Sequence, residues 1–88
     1  MISLGRSVDI LKMIEAIVLY GSDCGDDFGV VVSNDVSGDF SLPNSFNLKN
    51  FLPRAALKKV AQLAGLHLAK IDDEWFLLSK KPLDANER

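Results

Sequence analysis

The chain has 88 residues, 48% of them hydrophobic and 25% charged, with a formal charge of −2 and a pI near 5.2. That balance is globular, sized for one domain with a modest core, and excludes intrinsic disorder. The absence of a broad basic field argues against generic nucleic-acid binding, and no apolar run approaches the roughly 20 residues of a membrane span. A single cysteine, Cys24, cannot form an internal disulfide, and Asp9, Lys12 and Glu15 interrupt the apolar N-terminal stretch where a signal peptide would be uncharged.

Taken in order, Ile2 to Gly5 alternates as a first strand. Ser7 suits a helix N-cap, with Asp9 in the first turn. Ile10, Leu11, Ile14, Ile17 and Val18 recur at helical spacing from Val8 to about Tyr20, and the polar stripe is narrow. Such a helix is expected to be covered on more than one side. Gly21 is the expected C-terminal cap, and Gly25 permits a tight turn. The β-branched run after the loop reads as a buried strand over 28–33, followed by a turn at Asn34-Asp35 and a strand over 38–42; the two are expected to form a hairpin.

Asn47 is placed to cap a short turn over Leu48 to Phe51. From Pro53 to Ala64, Leu57, Val60, Ala61 and Ala64 share one helical face, while Arg54, Lys58, Lys59 and Gln62 share the other. Gly65 stops that helix and Leu66 suits a Schellman ending. His67 to Ile71, Asp72-Asp73 and Glu74 to Ser79 form a final hairpin, and 81–88 is a polar tail or the start of a linker. The order is β-α-β-β-α-β-β, an α+β domain over residues 1–80.

The stretch Gly21-Ser22-Asp23-Cys24-Gly25-Asp26-Asp27-Phe28-Gly29 invites a chemical reading. A calcium loop needs carboxylates at alternating positions and a bidentate Glu about a dozen residues on, and Asp23, Asp26 and Asp27 lack that pattern. Asp27-Phe28-Gly29 matches the kinase magnesium tripeptide in letters only, since no catalytic or glycine-rich loop accompanies it. Cys24 and His67 are the lone residues of their kinds, too few for a structural zinc site and distant in sequence as a nucleophile–base pair. No catalytic residue, metal or cofactor is expected. Arg54, Lys58 and Lys59 read as a solvated helix face or a site for an anionic partner. Trp75 and Phe76, adjacent on a strand, point to opposite faces, one into the core and one outward.

Val30-Val31-Val32, Ser33-Asn34-Asp35, Val36-Ser37-Gly38 and Phe40 to Leu42 resemble the segment after helix one in secretin N-terminal domains and in the related signalling domain of TonB-dependent receptors. The helix ending in Gly65-Leu66 and the strand Glu74-Trp75-Phe76-Leu77-Leu78 extend the resemblance over residues 2–80. It implies two helices packed between a small two-stranded sheet and a mixed three-stranded sheet. It also implies a non-catalytic periplasmic interaction domain of an outer-membrane secretin ring serving a secretion system, type IV pilus or filamentous phage. The implied partners are proteins: inner-membrane secretion components, substrate or neighbouring secretin subunits, with no nucleic acid and no membrane insertion by this segment. The partner-binding candidates are Trp75, Phe76, Arg54, Lys58, Lys59, Asp23, Asp26 and Asp27, with the Trp75 strand expected at a sheet edge. The departures are a longer acidic loop at 21–29 and a longer approach to helix two over Pro43 to Pro53, whose stretch Asn47 to Leu52 is closer to secretins than to receptors. The alternatives are a TonB-dependent receptor domain binding an anti-sigma regulator and, if Met1 is the native start, a cytoplasmic adaptor or small enzyme.

Overall fold

The computed structural model describes residues 5–81. Strand β1 (Gly5–Asp9) leads into helix α1 (Ile10–Asp23), followed by β2 (Gly29–Val32) and β3 (Asp39–Pro43). A 3-10 turn (Leu48–Asn50), helix α2 (Pro53–Ala64), β4 (His67–Lys70) and β5 (Trp75–Ser79) complete the chain. The order is β-α-β-β-α-β-β, an α+β fold. β1 and β3 form an antiparallel two-stranded sheet, while β2, β5 and β4 form a mixed sheet in that order. Each helix touches both sheets: α1 packs on β1 and β2, and α2 on β3 and β4.

Both helices begin as local chemistry dictates. Asp9 has an extended backbone, and its carboxylate accepts the Leu11 N–H at 2.9 Å, which satisfies one donor of the first turn. α2 begins with Pro53, whose missing N–H is no loss at that position. It ends at Gly65, whose φ of 71° lies in the left-handed region. The Leu66 N–H donates to the Ala61 carbonyl at 2.8 Å and the Gly65 N–H to Gln62 at 3.1 Å, a Schellman ending. The core joins Ile10, Ile14 and Ile17 of α1 to Leu57, Val60 and Ala61 of α2, with Phe28, Val36, Phe76 and Leu78.

The structure corrects several expectations, and one falls largely outside the residues it describes. Residues 2–4 of the expected first strand lie outside the described residues, and the observed strand starts at Gly5. Ser7 lies within that strand, donating to the Asp39 carboxylate at 3.0 Å, so Asp9 takes the cap instead. Gly21 does not cap α1. The helix runs through it to Asp23, because a bare backbone there lets Phe28 and the Asp26 carbonyl close against the helix. The expected hairpin of β2 with β3 is absent. β3 pairs antiparallel with β1, and β2 pairs parallel with β5. Between them the buried Val36 carries the connection across the core from one sheet to the other.

Finally, although α1 meets both sheets, part of its apolar surface is left uncovered among the described residues. Leu11 and Leu19 are 44% and 65% exposed, although the helix is apolar nearly all round. β2 likewise is an edge strand with Val31 outward, and not a fully buried one.

Candidate functional site

β5 is the central strand of the mixed sheet, so the expectation that the Trp75 strand forms an edge is overturned; the edges are β2 and β4. The opposite-face expectation for Trp75 and Phe76 holds. Phe76 is buried and meets Phe28 edge-on, with ring centroids 5.8 Å apart, whereas Trp75 is 46% exposed.

Strand parity then defines the outer face. Gly29 pairs with Trp75 and Val31 with Leu77, while Ala69 pairs with Leu77 and His67 with Ser79. Residues directly paired lie on one face, and alternate residues share it. The outer face therefore carries Val31, Trp75, Leu77 and Ala69 without a single Asp, Glu, Lys or Arg. Ile71, 55% exposed, extends it past the end of β4. No described element covers it. Apolar residues at both parities of β5 (Trp75, Phe76, Leu77, Leu78) are the sequence signal of this second face.

The charged candidates separate into two groups. Arg54 is a clamp within the fold. Its Nε donates to both oxygens of Asp26 at 3.1 and 3.0 Å, and its Nη1 donates to the Asp73 carbonyl at 2.8 Å. Its guanidinium also lies 5.3 Å from the Phe28 ring centre and 5.5 Å from that of Phe76. The Asp26 hydrogen bonds hold the Arg54 charge above even its usual range. Asp26 is thereby tied down, while Asp23 ends α1 and Asp27 follows in the loop, both exposed.

Lys58 and Lys59 do not act as one face. Lys58 shares a cleft of about 420 Å³ with Arg54 and Lys70, whereas Lys59 borders a separate groove beside Phe46, Asn47 and Phe51. Cys24 caps α1 and is exposed. The Tyr20 phenol donates to the Phe51 carbonyl at 2.7 Å. Lost solvation, reinforced by Cys24, raises its pKa. His67 borders a shallow depression with Lys58, Gln62 and Leu66. Among the described residues, no group of three or more His, Cys, Asp or Glu is arranged to hold a metal ion. None of the described helices is long and apolar enough to cross a membrane.

Comparison with protein-family models, with curated proteins and with solved structures returned no match.

Proposed function

We propose that this chain is a non-catalytic protein-interaction domain of the secretin N-terminal type, acting in the periplasm at the base of an outer-membrane ring. One observation carries the interaction reading: the uncharged apolar outer face built from Val31, Trp75, Leu77 and Ala69 on the mixed sheet. Contiguous apolar surface of this kind marks a contact site, because leaving it in water costs free energy that a partner recovers. The element order and the pair of sheets around two helices support the secretin resemblance, which implied both. The partners are then inner-membrane secretion components, substrate or neighbouring subunits of the ring.

Fractionation of cells producing the protein from its own gene, followed by native electrophoresis and electron microscopy, tests this. The expected result is recovery from the envelope as a ring-shaped assembly that Leu77→Glu separates from its inner-membrane partner. A single barrel-bearing polypeptide in the outer membrane would instead indicate the signalling domain of a TonB-dependent receptor. Recovery as a free cytoplasmic monomer would overturn the reading in favour of an adaptor or small enzyme.

A further inference from the structure

The edge strand β2 is built as a docking rail, and the direction of its backbone groups follows from two hydrogen bonds. The Gly29 N–H donates to the Glu74 carbonyl at 2.8 Å, and the Ser33 N–H donates to the Leu78 carbonyl at 2.9 Å. In a parallel pair these directions alternate along the strand. Gly29, Val31 and Ser33 therefore address β5, while Val30 and Val32 direct their N–H and C=O groups to the open edge. No described strand pairs with that edge.

What lies beside the edge also matters. A groove of about 670 Å³ runs between β2 and α1, walled by Leu11, Val18, Leu19, Val30, Val32 and Trp75. Glu15 is the one charged residue bordering it, and its carboxylate has no ion-pair or hydrogen-bond partner among the described residues. An added strand would have its backbone satisfied by Val30 and Val32. Its alternate side chains would fall on α1 and beside Trp75 and Val31.

We propose that β2 accepts a strand from a partner protein, and that the partner segment is extended, apolar at alternate positions and basic. Strand addition supplies affinity through main-chain bonds and specificity through alternate side-chain sites. The basic requirement comes from charge. Glu15 borders the groove, and Asp27 and Glu74 border the depression beside Gly29 and Trp75 at the start of β2. The same charges disfavour a second copy of this chain. The chain from Asp26 through Gly38 has no Lys or Arg, so the β2 strand of a second copy would bring no basic side chain to these carboxylates. The proposal rests on reading the chain as an interaction domain, but not on a secretin parent.

The test uses the 88-residue chain and two capped synthetic peptides, Lys-Val-Thr-Val-Thr-Val-Lys and its glutamate-flanked counterpart. The lysine peptide is expected to bind at least about tenfold more tightly, and to slow exchange of the Val30 and Val32 amides by about tenfold or more. N-methylation of its alternate amides should abolish binding. Glu15→Lys should invert the preference between peptides, and Val32→Pro should block binding, since that N–H serves no bond within the sheet. If Val32→Pro fails to fold, the N-methylated peptide on the unaltered chain makes the same test.

Equal binding of both peptides, or indifference to N-methylation, would overturn the proposal. So would a dimer whose Val30 and Val32 amides are protected without peptide. Binding that perturbs Leu77 but leaves Val30 and Val32 exchanging freely would overturn strand addition while leaving the interaction function standing.

Discussion

The Trp75 ring lies over Gly29, its directly paired neighbour in the parallel ladder of β2 and β5. A Cβ placed on residue 29 would stand 2.7 Å from both Cε3 and Cη2 of the indole. The glycine is therefore a seat for the ring, and it lets a large side chain lie flat across the sheet toward the β2 edge. Gly29→Ala is expected to lift the ring into solvent. Because the obstructing atoms belong to a half-exposed side chain and not to backbone, the stability change should stay within about 1 kcal/mol. Tryptophan emission should shift to longer wavelength, and an unshifted spectrum would show that the ring does not rest on residue 29.

Gly21 presents the opposite case. In an exposed helix interior, glycine to alanine stabilises by about 1 kcal/mol, since alanine loses less backbone entropy. Here the added Cβ would lie 2.7 Å from the Asp26 carbonyl oxygen and 2.9 Å from Cε2 of Phe28. One obstruction is backbone, held by the Asp26 N–H donating to the Gly21 carbonyl at 2.8 Å, so it cannot swing aside. Gly21→Ala should destabilise by about 1–3 kcal/mol, the range for overpacking a core. Urea denaturation would show the sign directly: a gain in midpoint would mean the loop after α1 does not pack against the helix.

Asp35 gives the fold an acid sensitivity. Hydrogen bonds from Ser33 and from the Lys80 N–H, the latter at 3.2 Å, hold its carboxyl below the ordinary range near 3.8. The folded protein thus binds this proton less readily than the unfolded chain. The resulting stabilisation is complete above the unfolded carboxyl's pKa, and it is lost as pH falls through the lower folded value. Asp35→Asn should therefore be less stable than the parent at neutral pH, and the two should converge in strong acid. Thermal unfolding measured from about pH 2 to pH 7 checks this. A constant gap between the curves would show that the carboxylate charge contributes nothing.

These cases also show which parts of the molecule could be read from the chain. α2 was legible because its signals are local: Pro53 opens it, Leu57, Val60 and Ala61 repeat at helical spacing, and Gly65 can take a positive φ. The β4–β5 hairpin was legible for the same reason. The partners of β2 and β3 were not, because a period of two specifies a buried face and not a neighbour. Asn34-Asp35 and Gly38 signal a reversal, and they serve equally well to bend the chain around the buried Val36. Gly21 resembled a helix stop, since only its contact with Phe28 shows that the helix continues. Of the candidate site, the opposed faces of Trp75 and Phe76 followed from strand geometry. The groove beside β2 did not, because it depends on β2 being an edge. The Arg54–Asp26 contact joins residues 28 apart that each look like ordinary surface charges.

That contact is also the place where magnitudes separate competing effects. The side chains of Arg54 and Asp26 are 35% and 37% exposed, and a pair so open to water contributes under about 1 kcal/mol. Arg54 does more than pair with Asp26. It donates to the Asp73 carbonyl, and its guanidinium contacts the rings of Phe28 and Phe76, so one side chain ties α2 to the loop after α1 and to the β4–β5 turn. Because it also loses a charge-assisted hydrogen bond and the cation–π contacts, Arg54→Ala should lower the urea midpoint at least about twice as far as Asp26→Asn does. Salt distinguishes the contributions. In about 1 M sodium chloride the Asp26→Asn effect should shrink towards zero, because exposed pairs are screened, while most of the Arg54→Ala loss persists. Arg54→Lys should restore less than half of that loss, since an ammonium cannot reproduce the fork that reaches Asp26 and Asp73 together. If lysine recovers full stability, charge alone suffices there and the planar clamp is irrelevant to the fold.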